Sequence, residues 1–187
     1  MVGHGSGTPA AMTAQVWAGL EPPYPTIVAD PPWVSRQPAA TKADSRRHYT
    51  TMTLADICAL PVADLAARDA HLWLWSTNAV MGDAHRVLEA WGFSPITVVT
   101  WCKAGPGVGH YLRNNTEHAI LASRGRPMTP AKKPLSTWYR WPKAGHSVKP
   151  AGFLDLVETI LPRAGFYVNI DHNCFQIHEM PATLAWD

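Results

Sequence analysis

Cysteine is scarce in this sequence, with three residues in 187, and no apolar run is long enough to span a membrane. Cys58, Cys102 and Cys174 are widely spaced and odd in number, which fits reduced thiols better than a disulfide framework. The N-terminal residues lack the basic stretch followed by an apolar core that marks a signal peptide. We therefore expect a cytoplasmic protein without a membrane partner.

Two common binding motifs are also missing. Only His172, Cys174 and His178 bring metal-ligand types close in sequence, and their spacing matches no structural zinc site, so no metal is predicted and small buried residues are the favoured interpretation of the cysteines. The glycine-rich segment at 105–109 does not open a helix after a strand. A dinucleotide-dependent enzyme is therefore the weakest of the functions considered.

Acidic residues are nearly absent from two segments of the chain. Residues 103–149 contain nine Lys or Arg and one acid, Glu117, and residues 33–50 contain four basic residues and one acid, Asp44. The rest of the chain holds the other twelve acids and three arginines. A positive face of this kind predicts a polyanionic partner such as nucleic acid, and a solvated basic loop is the alternative.

The length and the 47% hydrophobic content indicate one domain with a sizeable core. Residues 1–23 are rich in Gly, Ala, Pro and Thr without a sustained period, so we expect a flexible N-terminal arm. Residues 24–187 are predicted to form a single domain. The sequence does not indicate an oligomeric state.

Short apolar segments alternate with segments of helical period. Strands are predicted at 26–29, 71–75, 96–101, 118–122 and 166–168. One helix is predicted from an N-cap at Asn78 to Gly92, and another from Pro150 to Pro162, with surface loops in the basic stretch before it. The pattern predicts a Rossmann-like α/β fold with a mostly parallel sheet, helices on both faces, and ligands at the carboxyl ends of the strands.

The segment Asp30-Pro31-Pro32-Trp33 directly follows the first predicted strand. The carboxylate of Asp30 and the carbonyl of Pro31 are acceptors for the two N–H groups of an exocyclic base amine, and the prolines fix the direction of the chain. Trp33 offers a flat face, and stacking contributes about 1–3 kcal/mol per base. The segment therefore suits methylation of such an amine. A proline-rich turn with Trp33 in the core is the alternative.

Four segments resemble the MT-A70 family of adenine-N6 methyltransferases: TIVADPPW at 26–33, HYTTMTLADICALPVADLAARDAHLWLWSTN at 48–78, RNNTEHAILASRGRP at 113–127 and HSVKP at 146–150. The resemblance implies methyl transfer from S-adenosylmethionine to adenine N6 in nucleic acid. It also implies that Asp30, Pro31, Pro32 and Trp33 are the catalytic residues. A small free-standing domain favours DNA over RNA.

The resemblance implies further substrate-binding residues. Tyr49 lies in a Tyr-x-Thr-Met element near the target base, and Asn115 and Glu117 match positions beside the base and the nucleic-acid backbone. Two alternatives stay open: packing in the core or a lid for Tyr49, and a counter-charge to neighbouring arginines for Glu117. His118 and His146 are expected to be structural, since transfer through Asp30 needs no imidazole base.

The methyl donor is expected to contact Ala29, Asp30, Ser147, Lys149 and Asn169. Lys149 belongs to a Ser-x-Lys-Pro element, starting at Ser147, whose lysine contacts the donor carboxylate in the family, a role that suits an ammonium on a flexible stem. An exposed residue before a helix is the alternative for Lys149.

The C-terminal segment departs from the family pattern. The family continues into a strand reading Glu-Leu-Phe-Ala-Arg and then Gly-Trp and Gly-Asn, whereas this chain reads FYVNIDHNCFQIHEMPATLAWD at 166–187. Asn169, Asp171 and Asn173 are candidates for hydrogen bonds to the donor ribose. Two hypotheses stay open: a diverged pocket that still binds the donor, and a nucleic-acid-binding homologue with weak activity or none.

Overall fold

The computed structural model describes residues 22–34, 51–105, 107, 111–127, 134–143 and 148–160, and the backbone of two further strands at 166–170 and 175–179. The strands are β1 (Tyr24–Ala29), β2 (Ala66–Ser76), β3 (Ser94–Cys102), β4 (Thr116–Arg124), β5 (Trp138–Tyr139), β6 (Phe166–Ile170) and β7 (Phe175–Glu179). The helices are α1 (Leu54–Cys58), α2 (Val62–Leu65), α3 (Met81–Ala90) and α4 (Ala151–Ile160), with a 3-10 turn at Asn78–Val80 before α3.

The described strands form one sheet in the order β5-β3-β4-β2-β1-β6-β7. The strand β1 is parallel to both β2 and β6, and β5 is parallel to β3. The other pairings, β2 with β4, β3 with β4 and β6 with β7, are antiparallel. The predicted α/β fold is confirmed, whereas the sheet is only partly parallel, because three of the pairings among the described strands are parallel and three are antiparallel. The connections from β3 to β4 and from β6 to β7 are short, and a short connection between neighbouring strands returns the chain antiparallel.

The core lies on both faces of the sheet. Side chains of alternate residues in β1, β2 and β4 pack against α3 on one face, where the buried residues include Ile27, Leu72, Leu74, Ile120, Val87 and Leu88. The residues between them face α4, where the buried residues include Val28, Trp73, Trp75, Leu121, Phe153 and Val157. The prediction of helices on both faces is therefore confirmed, and a central strand covered on both sides is continuously apolar, as β2 is.

The strands predicted from the sequence lie where they were expected, and most extend a few residues further at each end. The predicted end of α3 is also confirmed. Gly92 has a φ of 76°, which favours glycine, and the N–H of Phe93 donates to the carbonyl of Leu88 at 2.9 Å. The helix that was expected from Pro150 begins at Ala151 and ends at Ile160.

The N-cap prediction for Asn78 is wrong. Asn78 is the first residue of the 3-10 turn, whose cap residue, Thr77, makes no capping hydrogen bond through its side chain. The amide of Asn78 is engaged across the sheet edge: Oδ1 lies 2.7 Å from Nε2 of His118, and Nδ2 donates to Oγ1 of Thr116 at 3.2 Å. These partners replace the backbone groups that a cap would satisfy.

Four elements were not predicted: α1, α2, β5 and β7. The sequence does contain a signal for α1, since Thr53 accepts from the N–H of Asp56 at 3.2 Å in the spacing of a helix cap. The short strand β5 lies in the basic stretch that was expected to form loops only. It pairs with Thr100 and Trp101 of β3 and so extends the edge of the sheet. The free thiols of Cys58 and Cys102 are half-buried rather than fully buried.

Some expectations fall on residues that the structure does not describe. They include nearly all of the arm at 1–23, Cys174 and His146. In the described part of the chain, every helix is too short or too polar to cross a membrane.

Candidate active site

Four chain segments converge at one edge of the sheet. Asp30 directly follows β1, and Ser76 ends the parallel neighbour β2. The antiparallel strand β4 begins beside them, with His118 opposite Ser76, and Glu117 lies opposite Trp101 near the end of β3. This edge therefore collects the carboxyl ends of β1, β2 and β3, which is where ligands bind in open α/β sheets.

The segment from Asp30 to Trp33 is held by backbone hydrogen bonds. The N–H of Trp33 donates to the carbonyl of Pro31 at 2.8 Å, and the N–H of Met52 donates to the carbonyl of Pro32 at 2.9 Å. Both prolines are buried, while Asp30 and Trp33 are half-buried. The indole N–H of Trp33 donates to the carbonyl of Trp75 at 3.0 Å. The ring is thus fixed in orientation at the sheet edge and keeps part of its surface exposed.

A chain of alternating charges lies beside this segment. The ammonium of Lys149 is 2.5 Å from Oδ2 of Asp30 and 3.6 Å from Oε2 of Glu117. The other oxygen of Glu117, Oε1, accepts a hydrogen bond from the ammonium of Lys103. All four side chains are between 16% and 24% exposed, so solvent screens these pairs less than it screens pairs at the open surface.

Two tryptophan rings lie beneath the lysines. The ammonium of Lys149 is 5.2 Å from the ring centroid of Trp75, and that of Lys103 is 4.7 Å from the ring centroid of Trp101. The two rings are both buried and meet edge to face at 6.3 Å. A ring face attracts a cation, so each ammonium is held by an aromatic surface as well as by a carboxylate.

The lysines determine the charge of Glu117. Burial would raise the pKa of this carboxyl, but the charge of Lys149 and the hydrogen bond from Lys103 outweigh burial, so the pKa lies below its usual range. Glu117 is therefore an anion at neutral pH.

His118 lies on the opposite face of β4 in a separate polar network. Burial lowers the pKa of His118, although the neighbouring Glu117 charge acts in the other direction. Its Nδ1 lies 3.1 Å from Oγ1 of Thr100. A neutral ring held by a hydroxyl on one side and by Asn78 on the other is suited to a structural role.

The structure brings most of the described predicted site residues together at this edge. Asp30, Glu117 and Lys149 contact one another in the charge chain. Ala29 is fully buried at the end of β1 and offers only backbone groups. Asn115 is exposed beside the site, and its carbonyl accepts from the N–H of Lys103 at 2.7 Å.

One predicted residue is placed less closely. Asn169 pairs with Val28 across the β1–β6 ladder, so its backbone lies one strand away from the end of β1. Tyr49 and Ser147 lie outside the described residues. Their roles stay predictions.

Sequence reasoning assigned no individual role to Lys103 or Trp75. A signal existed for Lys103, which comes directly after a predicted strand, where side chains reach the ligand-binding edge. Trp75 gave no comparable signal, because an aromatic residue in an apolar strand predicts core packing. Its contact is with Lys149, which lies 74 positions later in the sequence, so local sequence does not reveal it.

The arrangement fits a methyl donor with an amino-acid moiety. Lys149 places a cation over the Trp75 ring near the end of β1, which suits a ligand carboxylate. The Asp30 carboxylate and the Pro31 carbonyl lie nearby as hydrogen-bond acceptors. An α/β sheet with a cation and hydrogen-bond acceptors at the carboxyl ends of its strands is the arrangement expected of a methyltransferase that uses S-adenosylmethionine.

Comparison with known proteins makes the assignment more specific. The family model described as MT-A70 matches residues 24–168, so the chain belongs to the MT-A70 family, which uses S-adenosylmethionine. This makes the protein an adenine-N6 methyltransferase by family. The match ends within β6, at the start of the segment that departs from the family pattern.

Three relatives illustrate the range of similar proteins. The type II methyltransferase M.MunI of a Mycoplasma species is 26% identical over 158 residues, which cover 74% of this chain and 68% of the relative. An MT-A70-like N(6)-adenosine-methyltransferase of Arabidopsis thaliana is 25% identical over 75% of this chain and 20% of the relative. The human N(6)-adenosine-methyltransferase catalytic subunit METTL3 is 25% identical over 56% of this chain and 18% of the relative. The chain thus spans only about a fifth of the plant and human relatives.

Proposed function

We propose that this protein transfers a methyl group from S-adenosylmethionine to N6 of adenine in nucleic acid, with DNA as the preferred substrate. The observation that carries the proposal is the position of Asp30-Pro31-Pro32-Trp33 at the carboxyl end of β1, with the Trp33 ring oriented by Trp75. The names of the plant and human relatives specify N6 of adenosine as the methylated position, which supports the choice of target atom.

In this proposal Asp30 and Pro31 hold the target amine. One N–H of adenine donates to the Asp30 carboxylate and the other to the Pro31 carbonyl, which frees the nitrogen lone pair to attack. The Pro31 carbonyl already accepts from the N–H of Trp33, but a carbonyl oxygen has two lone pairs and accepts twice. S-adenosylmethionine supplies the electrophilic methyl group.

Trp33 provides the stacking surface for the base. An adenine in a duplex must leave the base stack before its amine reaches Asp30, at a cost of a few kcal/mol. Stacking on an aromatic side chain contributes about 1–3 kcal/mol, which offsets much of that cost. The orientation of the indole therefore determines where the extruded base comes to rest.

The remaining predicted residues complete the site in this proposal. Lys149 contacts the donor carboxylate, with Ala29, Ser147 and Asn169 around the rest of the donor. Tyr49 and Asn115 lie at the base and the nucleic-acid backbone. The basic residues of 103–149 neutralise phosphates. A single domain over 24–187 and a cytoplasmic location belong to the same proposal.

The choice of DNA rests on narrower support. Among the three relatives described, the chain covers most of the length of the type II methyltransferase and about a fifth of the two adenosine methyltransferases. The test is transfer of labelled methyl groups to unmethylated duplex DNA, single-stranded DNA and RNA of one sequence, followed by digestion to nucleosides. We expect N6-methyladenine, formed faster in DNA. A label found only in RNA would reverse the choice, and a label on cytosine would remove the target assignment.

A second candidate is a catalytically weak or silent nucleic-acid-binding homologue of the same fold. The divergent segment at 166–187 favours it, because the family places donor contacts in that part of the chain. Calorimetry separates the two candidates. Binding of DNA together with no binding of S-adenosylmethionine, even at millimolar donor, would favour the silent homologue.

A further inference from the structure

Glu117 places both of its carboxylate oxygens on lysines. Oε1 accepts from Lys103, and Oε2 lies 3.6 Å from the ammonium of Lys149. Lys149 in turn lies 2.5 Å from Asp30. Lys103 is therefore at the far end of a charge chain that leads through Glu117 and Lys149 to Asp30.

Local structure holds Lys103 in that position. The pairing of Trp101 with Glu117 between β3 and β4 puts Lys103, two residues after Trp101, on the same face of the sheet as Glu117. The N–H of Lys103 donates to the carbonyl of Asn115 at 2.7 Å, and its ammonium lies 4.7 Å from the Trp101 ring centroid. Backbone and side chain are thus both restrained.

The charge balance at Glu117 decides how strongly it attracts Lys149. A carboxylate with two cationic neighbours shares its charge between them, whereas a carboxylate with one neighbour holds that neighbour more tightly. Without Lys103, Glu117 would draw the Lys149 ammonium toward itself and away from Asp30 and any ligand at the end of β1.

We propose that Lys103 is a positioning residue for the methyl donor: it holds and neutralises Glu117, so that Glu117 does not withdraw the Lys149 ammonium from the donor carboxylate. The inference rests on the proposed function, in which Lys149 contacts that carboxylate. It gives Lys103 a role through Glu117 and Lys149 that is distinct from the contact with substrate predicted for Glu117.

A double-mutant cycle tests the proposal by calorimetry with S-adenosylmethionine and the full chain. Lys103→Met keeps the aliphatic contact with Trp101 and removes the charge, and we expect donor affinity to fall about tenfold. Adding Glu117→Gln removes the uncompensated anion, and donor affinity should return to within about threefold of the wild type. A merely structural role of Lys103 would not produce this recovery.

Arg86→Met is the matched control, because it removes one exposed positive charge from helix α3, outside the basic segments. It should leave donor affinity unchanged, and an equal loss in Arg86→Met would mean that overall charge is responsible. Melting curves establish that each variant is folded. If Lys103→Met does not fold, Lys103→Gln takes its place in the cycle.

The contact can also be tested without a donor, by following the Glu117 carboxyl carbon in an NMR pH titration. Lys103→Met and Lys149→Met should each raise the pKa of Glu117, because each removes a cation that lowers it. No change in Lys149→Met would overturn the proposal. Suppose that the wild type binds donor and methylates adenine, but the double variant binds donor as weakly as Lys103→Met does. That result would overturn this inference and leave the proposed function standing. A wild type that binds no donor would overturn the proposed function and the inference with it.

Discussion

The indole N–H of Trp33 donates a 3.0 Å hydrogen bond to the backbone carbonyl of Trp75, and this bond joins the segment after β1 to the end of β2. The partner is a backbone group in a buried strand, so its position is rigid. A tryptophan held in this way presents the same face to every incoming base. The orientation of the ring therefore adds to its stacking area, and the two contributions are separable by substitution.

Trp33→Phe should lower kcat about tenfold, because phenylalanine keeps a flat ring and loses the N–H that orients it. The lost hydrogen bond should also lower the free energy of unfolding by about 0.5–1.5 kcal/mol. Trp91→Phe is the matched control, since Trp91 donates an equivalent 3.0 Å bond to the carbonyl of Ile57 deeper in the same hydrophobic core. It should lower stability at least as much and leave kcat unchanged. Equal losses of kcat in both variants would show that stability, not ring orientation, limits activity.

Asp30→Ala should abolish methyl transfer, with a loss of at least about 100-fold to 1000-fold, because one acceptor of the target amine is gone. Asp30→Asn should lose as much, since an amide presents donor hydrogens beside its single acceptor oxygen. DNA affinity, measured by fluorescence anisotropy, should change little in either variant. The control is Asp64→Asn, which removes one exposed negative charge on α2. An active Asp30→Ala variant would refute the role given to the carboxylate.

The part of this site that the sequence predicts well is local. A short β-branched run between prolines predicts β1, and Asp30 to Trp33 follow it directly, so their place at the strand end needs no tertiary information. The helix stop at Gly92 is local for the same reason, because a positive φ favours glycine whatever surrounds it. Motif and strand end together indicate the acceptor pair for a base amine.

The part that the sequence does not predict depends on pairing between distant segments. Lys103 and Glu117 are 14 positions apart, and their contact requires the antiparallel register of β3 and β4, which no residue in either strand specifies alone. Asn78 shows the same limitation. Its residue type predicts a helix cap, yet His118, 40 positions away, takes its amide oxygen. Local propensity is overridden where a distant partner satisfies the same group.

Gly125→Ala should lower the free energy of unfolding by about 1–3 kcal/mol, because Gly125 has a φ of 64° and a Cβ would lie 2.5 Å from the carbonyl oxygen of Arg68. Gly82→Ala is the matched control in helix α3, where a Cβ meets no atom within 4 Å. It should raise stability by about 0.5–1 kcal/mol, since alanine is the better helix former. Urea unfolding measures both, and a stabilised Gly125→Ala variant would contradict the turn geometry.

DNA affinity should fall steeply with salt, since each phosphate neutralised adds about 0.7–0.9 to the slope of log affinity against log salt concentration. Arg140→Gln removes an exposed charge from the basic stretch and should reduce that slope by about one contact. Arg86→Gln, on helix α3 outside the basic segments, should leave the slope unchanged. A slope that is flat in the wild type would mean that the basic residues do not contact the backbone.

Stability should decrease as the pH falls below about 6.5, the ordinary pKa of histidine, because burial lowers the pKa of both His71 and His118 in the folded protein. Between the folded and unfolded pKa values the unfolded chain binds more protons, so acid favours unfolding. Above the unfolded value the contribution is complete, and it is lost as the pH falls through the folded value. The groups facing His118 are Thr100, Asn78, Thr116 and the charge of Glu117, which opposes the effect of burial.

Urea midpoints from pH 8 to about pH 3 measure this loss, and His118→Gln should remove part of it because glutamine does not titrate in that range. Glu117 adds a second pH range, at lower pH. Because its pKa is lower in the folded protein, its ionised form stabilises the fold above about pH 4.5, and that stability is lost as the pH falls through the folded pKa. Glu117→Gln should therefore flatten the profile only at the acid end. If His118→Gln kept the full slope between pH 8 and pH 5, the titrating group would have to be His71 or another residue, and the neutral network around His118 would not contribute to stability.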